Sequence, residues 1–147
     1  MIRVFVDATV LFSAARNPDG MNRGLLNVSK QRGDVLLLSN WLVIDEADIK
    51  LMYLVLRSER EELKRLVAEH INKSPVAPVE LNQALDALTQ DPNDVPVIAG
   101  AVFAEADWLV SANVRHFGHL YDRTIRGVLV LSPEAALRRL VPGAAPI

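Results

Sequence analysis

Cysteine is missing from all 147 residues. That excludes disulfides and thiolate metal sites, and it suits a reducing cytoplasm, which is the expected location. A basic excess is missing too: 16 Lys and Arg face 18 Asp and Glu, for a formal net charge of -2. A general nucleic-acid binder shows the opposite balance, so any nucleic-acid contact must come from a local basic patch or a bound cation. No apolar run approaches the roughly 20 residues that span a bilayer. The chain enters a strand-like pattern at once, so no signal peptide is expected. Repeats, linkers and low-complexity segments are also lacking.

What remains is a globular composition, half of it hydrophobic, long enough for one domain with a real core. Strand-like runs over residues 2–6, 35–38, 76–77 (weak), 108–111 and 128–131 alternate with helical patterns. The helical stretches are 10–15, 22–31, 41–57, 58–72, 79–88, 91–106 and one beginning at Ser132 and Pro133. Ser39 or Asn40 is expected to cap the third of these. Ser58 and Glu61 read as a capping box for the fourth. The alternation predicts an α/β fold, a three-layer α/β/α sandwich with a central, mainly parallel sheet of about five strands. The domain is expected over 1–141, with a flexible tail over 142–147.

Four polar residues stand where a buried run ends or begins: Asp7, Glu46, Asp94 and Asn113. In an open α/β sheet the carboxyl ends of the strands share one edge, where ligands bind. Asp7, Glu46 and Asp94 are therefore the expected metal ligands, and their oxygens suit Mg2+ or Mn2+. Such an ion polarises a phosphodiester and activates water, so hydrolysis of a nucleic-acid backbone is the expected chemistry. Each acid also has a local explanation. Asp7 is a turn former, Glu46 competes with Asp45 and Asp48 near a helix start, and Asp94 follows Asp91 and Pro92 in a helix N-terminus.

Thr9 and Ser111 are hydroxyls at the same edge, placed to hydrogen-bond the acids or to act as local caps. Arg115, His116, His119, Arg123 and Arg126 form a basic run. Arg115 in particular is a candidate for gripping substrate phosphates, against the alternative of a solvated loop. His116 and His119 read as surface histidines rather than a zinc pair. Trp41, Met52, Tyr53 and Leu54 are candidates for an exposed apolar surface as well as for core.

These blocks together resemble the PIN-domain nucleases. Val4-Phe5-Val6-Asp7-Ala8-Thr9-Val10-Leu11 is similar to the family's opening, and Ser39 with Glu46 to its second block. Asp91-Pro92-Asn93-Asp94 followed by Val97-Ile98-Ala99-Gly100-Ala101 is similar to the third. Ala106-Asp107-Trp108-Leu109-Val110-Ser111-Ala112-Asn113 with His116-Phe117 is similar to the fourth, and Val128 to Glu134 to the closing strand and helix. The resemblance implies a metal-dependent endoribonuclease acting on RNA. Many small members are VapC-type toxins paired with an antitoxin protein and often homodimeric, so the toxin role, an antitoxin partner and a homodimer are expected here. It places Asp7, Glu46 and Asp94 on the family's first three acids, and Asn113 where the fourth is usually aspartate. An amide brings no charge, so the alternative is a catalytically weakened module that binds RNA or a protein partner without turnover.

Overall fold

The computed structural model describes residues 1–88 and 91–141, and the expected loose tail over 142–147 lies outside them. The chain runs β1 (Ile2–Val6), α1 (Ala8–Arg16), α2 (Met21–Arg32), β2 (Val35–Ser39), α3 (Trp41–Tyr53), α4 (Arg57–His70), β3 (Asn72–Lys73) and α5 (Val79–Leu85). Then follow α6 (Val95–Phe103), β4 (Trp108–Val110), α7 (Val114–Phe117), β5 (Thr124–Ile125), β6 (Val128–Leu131) and α8 (Pro133–Leu140). Short 3-10 turns cover Asp86–Leu88, Pro92–Asp94 and Gly118–Leu120.

The described strands form one sheet in the order β3-β2-β1-β4-β6-β5. All neighbours are parallel except β5, which runs antiparallel to β6. Central strand β1 pairs with β2 from Ile2 to Phe5 and with β4 from Val4 to Val6. Its Val4, Phe5 and Val6 are fully buried, as expected of a parallel strand covered on both faces. The chain moves from β1 outward to β2 and β3, then returns past β1 to β4. Right-handed crossovers therefore put α1–α4 on one face and α5 and α6 on the other. The packing agrees: α1 lies against α2, α3 and α4, α8 lies against α2, and α5 lies against α6. The result is the expected three-layer α/β/α sandwich. The reversal between β1 and β4 is the switch point of the sheet, where a cleft opens at the strand carboxyl ends.

Local chemistry accounts for most boundaries. Asn40 rather than Ser39 caps α3, its Oδ1 accepting from the Val43 N–H at 3.1 Å. Ser39 instead ends β2 and donates its hydroxyl to the Val6 carbonyl at 3.1 Å. Ser132 caps α8 at 3.1 Å from the Ala135 N–H, with Pro133 at the first helical position. Gly100 lets α6 approach the sheet closely: a Cβ there would lie 2.7 Å from Asn40 Nδ2 and 3.1 Å from Phe5 Cζ.

Several expectations are corrected. The sheet has six described strands, not five. The weak strand at Val76 and Ala77 is not one, because Pro75 and Pro78 leave flanking positions without ladder donors; Asn72 and Lys73 pair with Leu38 and Ser39 instead. Thr124 and Ile125 form a strand through a two-residue hairpin turn at Arg126 (φ 47°) and Gly127 (φ 86°), both left-handed. The helix expected over 41–57 ends at Tyr53, and Val55 takes a left-handed φ of 57° before α4 begins. The capping box fails as well: α4 starts at Arg57 behind Leu56, and the Ser58 hydroxyl donates to Glu59 at 2.6 Å rather than capping. The helix expected over 79–88 tightens into the 3-10 turn from Asp86 onward.

Candidate metal centre

Asp7 follows β1 directly and is only 3% exposed. It is the N-cap of α1, with Oδ1 accepting from the Thr9 N–H at 3.0 Å, the Val10 N–H at 3.2 Å and the Thr9 hydroxyl. Burial pushes its pKa above the ordinary 3.8; hydrogen bonds from the Ser111 and Thr9 hydroxyls and the Val10 and Thr9 amides oppose this without overcoming it. A carboxyl so deprived of water needs either a proton or a cation.

Asp94 closes the 3-10 turn that leads into α6 and is 8% exposed. His116, on α7, places Nδ1 2.9 Å from its Oδ2 and 3.2 Å from its Oδ1. Asp91 caps the same 3-10 turn, its Oδ1 accepting from the Asn93 N–H at 2.9 Å. Its Oδ2 lies 3.8 Å from His116 Nδ1. Ligand atoms of Asp91, Asp94 and His116 all fall within 4.8 Å of one another.

A cleft of about 420 Å³ joins these groups. Its walls include Asp7 and Thr9 from the β1–α1 junction, Glu46 and Lys50 from α3, Asp91 and Asp94 from the turn before α6, and Asn113 and His116 from α7. Glu46 is exposed on the outer wall, one helical turn before Lys50. Asn113 caps α7, with Oδ1 accepting from the His116 N–H at 3.2 Å. Ser111 is fully buried behind the cleft, and its Oγ accepts from the Asn113 N–H at 3.1 Å. Thr9 Oγ1 accepts from the Ala112 N–H at 3.0 Å, tying the end of β4 to the start of α1.

The fold thus brings Asp7, Thr9, Glu46, Asp94 and Asn113 to one cleft. It sets Ser111 behind the wall. Arg115 is exposed and outside the residues that line the cleft, as are His119, Arg123 and Arg126. Sequence reasoning missed three contributors. His116 was expected on the surface, yet it is half-buried against Asp94. Lys50 was not singled out. Tyr121 donates its hydroxyl to the Ser111 carbonyl at 2.7 Å and so braces the β4 end of the site; burial, and then the nearby Asp7 charge, raises the Tyr121 pKa. His116-Phe117 stands in the block that resembles the family's fourth, but no local sequence signal marks Lys50 or Tyr121, since their roles arise from elements meeting at the switch point.

Four carboxylates against one lysine and one histidine make the cleft a place for a cation. Among the described residues no helix is long and apolar enough to cross a membrane.

The comparisons with known proteins agree with this geometry. The PIN domain family model matches residues 3–115. No curated protein matches the chain. A chain of the solved VapBC2 structure from Rickettsia felis, bound to a DNA fragment from its promoter, superposes with a TM-score of 0.66 at 13% identity, covering 89% of this chain and 98% of that one. PAE2754 from Pyrobaculum aerophilum superposes with a TM-score of 0.66 at 18% identity, covering 95% and 96%. With the family model spanning most of its length and the fold shared with these structures, the chain belongs to the PIN-domain family.

Proposed function

We propose that this protein is a metal-dependent endoribonuclease, the toxin member of a toxin–antitoxin pair, acting in the cytoplasm. One observation carries the nuclease reading: the desolvated Asp7 carboxyl at the end of β1 shares a cleft with Asp94 and Glu46. The donor set fits a hard divalent ion. All three are carboxylates, and the buried Asp94 carboxylate has His116 Nδ1 as its close polar neighbour, 2.9 Å from Oδ2. Asp7, Glu46 and Asp94 would hold Mg2+ or Mn2+, which when bound would polarise the scissile phosphodiester and activate water.

The chain's own groups set the rest. Thr9 and Ser111 orient Asp7, and the neighbouring backbone amides fix its Oδ1. Tyr121 and the Thr9–Ala112 bond hold the β4 turn against α1. Lys50 stands on the cleft wall where it can meet a substrate phosphate. Arg115, exposed beyond the wall, contributes at most to backbone contacts outside the reacting position.

The fold is shared with the VapBC2 structure from Rickettsia felis, and the VapC-type toxins that the sequence resembles pair with an antitoxin, which supports an antitoxin partner here. Trp41 (62% exposed), Met52, Tyr53 (78% exposed) and Leu54 form an apolar surface on and just after α3, which supports homodimerisation. RNA cleavage should require divalent metal and vanish in Asp94→Ala, measured on single-stranded RNA by gel assay. Cleavage that survives chelation or the Asp94 change contradicts the proposal.

A second reading has its own support. Asn113 carries no charge, and its Oδ1 is engaged in capping α7. A PIN fold weakened in this way would bind RNA or protein without turnover. Cleavage of a single RNA by metal-loaded protein, lost in the Asp7→Asn variant, excludes it.

A further inference from the structure

Helix α3 has a cavity on each side. Leu42, Val43, Glu46 and Lys50 face the carboxylate cleft, whereas Trp41, Ile44, Asp45 and Asp48 line a second cavity of about 430 Å³. We propose that this second cavity binds a guanine base of single-stranded RNA, stacked on Trp41 and read by Asp45. The inference rests on the carboxylate cleft being an RNA site, and it adds a base-specific subsite that shares no residue with that cleft.

The cavity has an apolar lining and a charged mouth. Ile44 of α3 and Leu63, Val67 and Ala68 of α4 supply the lining, with Leu63 and Val67 buried. Its size falls in the roughly 300–1,000 Å³ range of small-ligand sites. Trp41 also lines it, yet is 62% exposed. A planar base covers such a ring by stacking.

Charge decides which planar group fits. Asp48 is gripped by Arg60, whose Nε and Nη2 donate to its two oxygens at 2.9 and 3.1 Å. Lys64 pairs with Glu61 at 3.3 Å. Asp45 and Lys73 also line the cavity, and neither side chain has a hydrogen bond or ion pair among the described residues. A carboxylate only accepts hydrogen bonds. On the pairing edge of the bases, guanine alone sets two N–H donors side by side. Adenine, cytosine and uracil place an acceptor beside each donor, and a carboxylate repels it. Lys73 then offers its ammonium to a phosphate of the same strand. An apolar peptide would leave both charges unanswered.

Position links the two cavities. Trp41 opens α3 two residues after Ser39, and Ser39 pairs with Lys73. The mouth therefore lies at the carboxyl ends of β2 and β3, along the same sheet edge as the carboxylate cleft. A strand of RNA in that cleft has only to cross α3, about 10–12 Å wide with its side chains, to place a neighbouring base here. Single-stranded RNA is read in this way, by bases splayed out, stacked on aromatic rings and hydrogen-bonded along their edges. Met52, Tyr53 and Leu54 stand about three turns further along α3, so a dimer formed through them leaves the Trp41 end open.

Binding of labelled RNA oligomers to the full-length, metal-free protein, followed by fluorescence anisotropy and by tryptophan emission, tests this. An oligouridine carrying one central guanosine should bind about tenfold or more tighter than oligouridine alone, and it should quench tryptophan emission. Trp41→Ala should weaken the guanosine oligomer about tenfold or more and remove the quenching. Trp41→Phe should restore most of the affinity. Asp45→Asn should erase the preference for guanosine and leave oligouridine binding unchanged. Both side chains are exposed, and thermal unfolding followed by circular dichroism checks that each variant is folded. Equal affinity for the two oligomers, unchanged binding in Trp41→Ala, or a preference that survives Asp45→Asn overturns the subsite. So does a dimer in sedimentation velocity that Trp41→Ala dissociates, since a second copy then covers the mouth. The nuclease reading fails by a different result: RNA left intact by the wild type in every metal, whatever the oligomers show.

Discussion

Asp7 combines burial with a cluster of donors, and its titration has a defined sign. Its folded pKa lies above 3.8, so between 3.8 and the folded value the folded protein binds more protons than the unfolded chain. The stability contributed by this group is complete below 3.8 and is lost as pH rises through the folded value. Asp7→Asn, which keeps the capping oxygen, should therefore raise Tm at neutral pH in metal-free protein. The gain should shrink as pH approaches 3.8. A variant that is less stable at neutral pH and gains on acidification contradicts this, and calorimetric melting across pH decides it.

Asn113 gives a complementary case. Aspartate there retains an oxygen for the His116 amide and adds a negative charge to the cleft. Asn113→Asp should raise Mn2+ affinity about tenfold or more, by titration calorimetry, since one added charge at about 4 Å is worth a few kcal/mol at intermediate dielectric. Unchanged affinity would show that position 113 does not face the ion. Asp7 and Asp94 could be read in the sequence because each follows or opens a strongly apolar run. His116 could not: its neighbours Val114, Arg115 and Gly118 look like a surface loop, and its partner Asp94 is 22 residues away.

Among the elements, α6 shows how tightly the cleft is framed. Asn40 is 1% exposed, and its Oδ1 is committed to the α3 cap. The Nδ2 beside Gly100 therefore cannot swing aside without uncapping α3. Gly100→Ala should destabilise the fold by about 1–3 kcal/mol through overpacking, offset by about 1 kcal/mol of helix propensity. Denaturant unfolding measures the difference, and a stabilised variant would show that the α6–β1 approach is looser than described. Long elements were legible where apolar spacing was strong, as in α6 and β6. The two-residue strands β3 and β5 were not, because two residues carry no periodicity. The α3–α4 break was hidden because Leu54, Val55 and Leu56 continue an apolar pattern without glycine or proline. Val55 takes its unusual backbone angle there, and a β-branched residue signals the reverse.

Across the whole molecule, sheet order follows from alternation and handedness once the strands are known, so the three layers, and a cleft at the strand carboxyl ends, were readable from sequence. The strand count was not. Met52, Tyr53, Leu54 and Val55 form an exposed apolar run at the end of α3. If it mediates the proposed homodimer, Tyr53→Glu should shift the protein to monomer in sedimentation velocity while leaving Tm within about 2 °C, as expected of a surface change of less than about 0.5 kcal/mol in a domain of this size. A wild type that sediments as a monomer at every concentration removes the dimer from the account.

Because β1 must find β4 across roughly a hundred residues of intervening chain, and β4 then lies beside β6, the pocket is built from segments scattered along the polypeptide from Asp7 to Phe117. During synthesis the ribosome therefore releases Asp7 long before Asp94, Asn113 and His116. A nascent or truncated chain ending near Phe103 carries the first acids yet has no completed β4 edge, so a cell making this protein is exposed to its cleft only after translation is nearly finished.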